Sequence, residues 1–351
     1  MPTIYDVARI AGVSPKTVSR VMNGDAPVNV RTREVVEAAM GQLGYVPSNA
    51  ARTMRSQRTG LVGLVTGAIS GPQAGGGASG LPDLQIVQGI QRRLAERGLT
   101  LLISDTGGAS HRVSQLVRTL REHRVEGIFY VADRHMQVEL PPVGDETRLV
   151  IVNAFDLEGT PCVLPDDVHG EQALTASLIA QGHRRIGFLT LPTALVARRL
   201  RLDGYRAALE TAGIGFDPEL VIDADRDGGP EERAALDAAL DRMLGLAEPP
   251  TVLLCGNDRL AVTVYGLLRA RGIAVPEGMS VAGYDDYQAI SRTLFPQLTT
   301  MELPYGRMGE VAADLMLGDL RDGSPLRQGT RIEVRGELRW RDSVMPGPAE
   351  R

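Results

Sequence analysis

Two cationic side chains, Lys16 and Arg20, stand four positions apart in the run SPKTVSRVMNG. That spacing puts both on one face of any helix through the run. Their N–H groups match the acceptors on guanine edges and backbone phosphates. Ser14, Thr17 and Asn23 add hydroxyl and amide groups around them, while Pro15 offers apolar contact alone. A second set of polar residues follows short apolar runs further along: Asn153 after VIV, Asn257 and Asp258 after LLCG, Asp285 and Asp286 after VAGY. With an arginine, such groups can chelate a hydroxyl-rich ligand through charge-assisted hydrogen bonds. Asn and Asp in these places equally suit turns and helix caps, and Asp258 is read as the cap of the helix after its run.

Other chemistries lack their residues. No CxxC, HExxH or Cys/His cluster is present, so no metal is expected. No G-x-S-x-G elbow or nucleophile pair supports an enzyme, and no cofactor is expected. Gly75, Gly77 and Gly80 spell a literal G-x-G-x-x-G in the segment GAISGPQAGGGASG. They stand too far beyond Val65 for the tight strand-to-helix turn of a dinucleotide site, and a loop near a cleft is the better reading.

The chain of 351 residues has room for two or three domains, and 43% apolar residues suffice for a core. No apolar run has the length of a membrane span, and the first residues lack a secretory pattern. Two cysteines, Cys162 and Cys255, build no disulfide framework, so the cytoplasm is the expected location. The net charge of −5 hides an asymmetry: residues 1–60 hold eight basic and four acidic side chains, leaving −9 on the rest. A small basic head on an acidic body fits a DNA-binding module joined to something else.

Three helices are expected in the head. Thr3 and Asp6 form a capping box, Ile4, Val7 and Ala8 an apolar stripe, and Gly12 a stop. Ser14-Pro15 starts a second helix that runs to Asn23-Gly24, with Val13, Val18, Val21 and Met22 inward. A third spans about 31–43, with Val35, Val36, Ala39 and Leu43 inward. Helix, glycine turn, polar-faced helix, third helix is a helix-turn-helix. From residue 61, apolar runs (61–65, 99–104, 126–131, 148–153, 185–190, 251–256, 280–285) alternate with helical stretches (84–97, 111–122, 170–181, 198–212, 231–244, 258–271). That alternation predicts an α/β body of parallel doubly wound sheets, in two lobes because its length exceeds one ordinary core.

The stretches IYDVARIAGVSPKTVSRVMNG and TREVVEAAMGQLGYVPSNAARTM closely resemble the DNA-binding head of the LacI/GalR family of bacterial transcription regulators. QGHRRIGFLT, RLRLDGYRAAL, LLCGNDRLAV, VAGYDD and FPQLTT resemble landmarks of that family's effector domain, which is similar to periplasmic sugar-binding proteins. The resemblance implies a helix-turn-helix domain at 1–46, a hinge helix or linker at 47–59, a two-lobed body at 60–341 and a tail at 342–351. It implies a first lobe of about 60–160 and 292–325, and a second of about 163–290 and 328–341. Residues 15, 16 and 20 would face bases, and Thr3 joins the DNA-binding set. Met54 stands where the family has a leucine that wedges between base steps, and Arg55 beside it suits the minor groove. Arg201, Asn257 and Asp285 match the effector arginine, asparagine and aspartate; Asn153 and Asp83 fall at cleft positions. Where the family often carries an aromatic wall, this chain has the charged run DADRDGG, leaving Phe155 and Tyr284 as substitutes.

The expected function is therefore a cytoplasmic, sugar-responsive repressor that binds a pseudo-palindromic operator as a homodimer, without a tetramerising helix in the tail. A periplasmic receptor would share the body but has no use for the basic head. Activation of some promoters would use the same contacts.

Overall fold

The computed structural model describes residues 2–23, 28–45, 58–67, 81–144, 147–224, 230–322 and 327–348. They form two compact units, Met1–Gly60 and Leu61–Arg351.

In the first unit α1 (Ile4–Ala11) opens on a reciprocal cap, with Thr3 N donating to Asp6 Oδ2 at 2.9 Å and Asp6 N to Thr3 Oγ1 at 3.4 Å. Gly12 ends the helix at φ 65°, a left-handed conformation that glycine adopts without steric cost. Ser14 Oγ accepts from Thr17 N at 3.1 Å and starts α2 (Pro15–Asn23), whose first residue needs no amide hydrogen. Asn29 caps α3 (Val30–Leu43). Val7, Ala8, Ala11, Val18, Val21, Val36 and Ala39 form the core. Val35, expected inward, is 42% exposed. The buried stripe is set by Val36, Ala39, Met40 and Leu43, and Val35 lies one residue, about 100°, off it.

The second unit holds two six-stranded sheets. The first comprises β1 (Leu61–Thr66), β2 (Thr100–Asp105), β3 (Ile128–Gln137), β4 (Leu149–Phe155), β5 (Cys162–Pro165) and β11 (Arg331–Val334), in the order β11-β5-β4-β3-β1-β2. The second comprises β6 (Ile186–Thr190), β7 (Val221–Asp223), β8 (Val252–Cys255), β9 (Ser280–Asp285), β10 (Thr299–Glu302) and β12 (Leu338–Arg339), in the order β12-β10-β9-β8-β6-β7. All pairings are parallel except β10 with β12. In the first sheet, α4 (Leu81–Ala95) and α11 (Tyr305–Asp322) cover Val62, Leu64, Phe129 and Val150, while α5 (Val113–Glu122) covers Val65 and Ile128. In the second, α6 (Asp167–Ala180) and α7 (Val196–Thr211) cover Phe188, Leu254 and Tyr284; α8 (Pro230–Leu244) and α9 (Asp258–Ala270) cover Leu189, Leu253 and Val281. Burial on both faces is why these strands read as continuous apolar runs. A short α10 (Gln288–Ser291) follows β9.

The chain passes between the lobes three times: from β5 to α6, from β10 to α11 and from β11 to β12. These crossings correct the expected lobe limits. Cys162–Pro165 and Arg331–Val334 belong to the first sheet, and Thr299–Glu302 to the second. Strands of four residues carry too little pattern to announce their partners, and their pairing fixes the division. The residues expected as a tail also differ. Ser343 is buried, its Oγ donating to Val281 O at 2.6 Å and accepting from Thr299 N at 2.8 Å, and Val344 joins the second lobe's core. No helix among the described residues is long and apolar enough to cross a membrane.

Candidate functional site

On α2, burial of Val18 and Val21 against α1 and α3 decides which way the helix faces. Ser14, Lys16 and Arg20 are consequently exposed, with Pro15 and Thr17 half-buried at the edge. Ser14 Oγ lies 2.9 Å from Thr17 Oγ1, so part of that hydroxyl pair serves the helix start. Thr3 is likewise exposed but engaged in its capping box. The exposed face therefore presents one ammonium and one guanidinium on successive turns. The side chain of Asn23, and the expected hinge with Met54 and Arg55, lie outside the described residues, as does the glycine-rich segment 68–80.

In the body Arg201, on α7 and 4% exposed, meets residues at or just beyond the carboxyl ends of β5, β8 and β9. Its Nε donates to Asp167 Oδ1 at 2.8 Å and its Nη1 to Gly256 O at 2.5 Å. Its guanidinium carbon stands 3.7 Å from the ring centroid of Tyr284. Burial disfavours the cation most, but the Asp167 charge, the Asp285 charge and the hydrogen bond to Asp167 join to outweigh it and push the Arg201 pKa up. Burial likewise works against the Asp167 carboxylate; Arg201 and a hydrogen bond from His135 overcome it and hold its pKa below the usual range. His135 Nδ1 lies 2.8 Å from Asp167 Oδ2. His135 extends from β3 of the first lobe, whereas Asp167 begins α6 of the second, so this carboxylate ties the lobes together. Glu171, one turn further along α6, is fully buried with Oε1 bonded to Thr175, and burial pushes its pKa up to about 8.

Arg201, Asn257 and Asp285 are brought together: Asn257 follows Gly256, whose carbonyl Arg201 holds, and Asp285 follows Tyr284, on which Arg201 rests. Asn257 Oδ1 also accepts from Leu260 N at 2.7 Å. Asn257 is thus the cap of α9, not Asp258 as expected, because the turn after β8 is a single residue shorter than that reading required. Asp258 enters the first turn instead and accepts from Tyr287 N at 2.8 Å and Thr300 Oγ1 at 2.6 Å. Burial, then the neighbouring Asp285 charge, push its pKa well up. Asn153 lies at the end of β4 with φ 62°, its Nδ2 donating to Ala132 O at 3.0 Å. Asp83 belongs to α4, but its side chain lies outside the described residues. Tyr284 and Phe155 both reach this region: the first lies under Arg201, the second stands edge-on to His135 with centroids 6.1 Å apart.

The sequence reading missed Asp167 and His135. Asp167 comes two residues after Pro165 and would have been caught by the strand-end rule had β5 been recognised. His135 had no such signal, since it depends on a bulge. Val131 pairs with Val152 and Met136 with Ala154, so residues 132–135 face Asn153 alone and loop out of the sheet.

Residues 3–48 match the bacterial regulatory proteins of the lacI family, and residues 175–344 match a periplasmic binding protein-like domain. The ribose operon repressor of Escherichia coli (strain K12) is 32% identical over 98% of this chain and 100% of its own length. The HTH-type transcriptional regulator GalR of the same strain is 34% identical over 95% of this chain and 93% of its own. Among solved structures, the Lac repressor dimer bound to operator and the anti-inducer ONPF superposes with a TM-score of 0.73 at 25% identity, covering 98% of this chain and 99% of that one.

Proposed function

This chain belongs to the LacI family of bacterial regulatory proteins, and we propose that it is a dimeric repressor of a carbohydrate-utilisation operon, released from or fixed to its operator by a small sugar. The family makes it a ligand-responsive DNA-binding regulator and not an enzyme. The observation that carries the finer reading is the pairing of an exposed Lys16–Arg20 face in one unit with the buried Arg201 site in the other.

In this reading α2 enters the major groove. Lys16 and Arg20 donate to guanine edges or phosphates, Pro15 makes apolar contact, and Ser14, Thr17, Asn23 and Thr3 serve phosphates or nearby bases. Met54 wedges into a minor-groove step beside Arg55. Two heads of a dimer take two half-sites of a pseudo-palindrome. Arg201, Asn257 and Asp285, with Asn153 and Asp83 from the first lobe, hold the effector. The ribose operon repressor among its relatives supports a sugar. Binding shifts the lobes about their three crossings, and the coupling equals the difference in effector affinity between the two states, typically ~1–3 kcal/mol. A regulator of this kind works in the cytoplasm, where its DNA is.

The test selects an operator from random duplexes with the purified protein, then measures binding by fluorescence anisotropy at physiological salt with and without D-ribose, D-galactose, cellobiose and guanine. A sequence-specific complex whose affinity changes with one of the sugars supports the reading. A change with guanine alone overturns the sugar. No preference for any duplex overturns the function.

A further inference from the structure

We propose that His135 is a further first-lobe contact to the effector, with its Nε2 hydrogen-bonded to a sugar hydroxyl. This rests on the effector reading above and adds a residue and an atom to it.

Both oxygens of Asp167 are engaged, Oδ1 by Arg201 Nε and Oδ2 by His135 Nδ1, at 2.8 Å each. A carboxylate held ionised beside a guanidinium can only accept. The His135 proton therefore sits on Nδ1 and points at Asp167. Nε2 lies on the far edge of the ring from Asp167. It is buried, in a residue 5% exposed, and has no hydrogen-bond partner among the described residues.

A buried ring nitrogen without a hydrogen-bond partner is a cost that a purely structural residue would avoid. Asparagine would satisfy Asp167 equally well, since its amide nitrogen occupies the place of Nδ1. What the imidazole adds is the second nitrogen. The surroundings fit a ligand contact. The bulge 132–135 brings His135 against Asp167 at the start of α6, and Asn153 clamps the bulge through Ala132 O at 3.0 Å. Phe155 stands edge-on to the imidazole at 6.1 Å, an apolar flank for the C–H face of a sugar ring. Arg201, on Tyr284, lies on the other side of Asp167. A sugar hydroxyl bonded to Nε2 would reach the carboxylate of the second lobe through a residue of the first, so its loss registers in both.

The experiment compares the wild type with His135→Asn and His135→Gln. The first keeps a donor for Asp167 and deletes the Nε2 position; the second keeps a group at the Nε2 position and deletes the donor. Melting temperatures of each are followed alone and with D-ribose, D-galactose and cellobiose, and Kd is measured by calorimetry for the sugar that raises the wild-type value. The expected result is an unliganded His135→Asn protein that melts at or above the wild-type temperature yet binds that sugar roughly ten- to hundredfold more weakly. His135→Gln is expected to melt lower and to retain more of the affinity. Binding to His135→Asn within twofold of wild type overturns the assignment of Nε2 while leaving the sugar reading intact. If no sugar of the set raises the wild-type melting temperature, the sugar reading falls and the Nε2 contact falls with it.

Discussion

The guanidinium of Arg201 is held between a carboxylate and an aromatic ring: Asp167 Oδ1 takes its Nε at 2.8 Å while the Tyr284 ring lies 3.7 Å beneath it. This orients the residue before any ligand arrives. A flexible arginine would lose side-chain entropy on binding, whereas one fixed by its own neighbours has little left to lose.

Breaking the Arg201–Asp167 pair from one side is expected to destabilise the body strongly. Asp167→Asn leaves a buried cation uncompensated, a loss of about 3–5 kcal/mol. Arg201→Met combined with Asp167→Asn is expected to recover much of it, because both charges are then gone. Urea unfolding of the two singles and the double checks this. Additive losses would show that the two side chains do not act as a pair. The same variants are expected to lose the effector response, with operator binding by the separate head retained at low effector concentration.

The pH dependence of stability contains a contribution from Glu171. Its folded pKa is about 8 against an ordinary value of 4.5. The neutral form is favoured by folding, so this contribution is fully present below pH 4.5 and is lost as pH rises towards 8. Glu171→Gln, which cannot ionise, is expected to flatten that part of the profile. Its stability relative to wild type should rise by up to about 1.4 kcal/mol per pH unit across the window. Parallel wild-type and Glu171→Gln profiles would contradict it. Asp167 acts in the opposite sense: its lowered pKa contributes stability above the ordinary carboxylate range that is lost at acid pH.

For the DNA face, Lys16→Ala and Arg20→Ala are each expected to cost about 1–3 kcal/mol of specific operator affinity. Both side chains are exposed, so melting of the head should be unchanged. The residue that reads a base will show relaxed specificity at one operator position. A phosphate contact will lower affinity across sequences and reduce the salt slope by about one.

Asn257 carries two expectations that one variant separates. Asn257→Ala removes the α9 cap and should cost ~1 kcal/mol in stability. Asn257→Ser restores a capping oxygen without the amide nitrogen. Calorimetry with the sugar that binds wild type should find weaker binding in both variants, with the stability loss confined to alanine. If serine restores affinity together with stability, Asn257 acts through the cap alone.

How much was written in the sequence follows the range of the forces involved. The three head helices follow from contacts within four residues: Thr3 with Asp6, Ser14 with Thr17, and glycine at position 12. The long strands buried on both faces are legible as apolar runs for the same local reason. Strand-end position and family resemblance pick out Asn257 and Asp285, the resemblance alone picks out Arg201, and the fold sets the three side by side.

What the sequence left open was settled by partners distant along the chain. The strands Cys162–Pro165, Thr299–Glu302 and Arg331–Val334 are only four residues each, so pairing rather than pattern assigns them to a sheet. Asp167 looks like an ordinary helix-start acid until the fold sets Arg201 and His135, 34 and 32 residues away, against its two oxygens. His135 is invisible as a site residue because a bulge in β3, not the strand's period of two, decides where it points. Local sequence specifies helices, turns and strands through short-range hydrogen bonds and burial. The placing of buried charges is specified only when the closed fold excludes water and makes each charge depend on one particular partner.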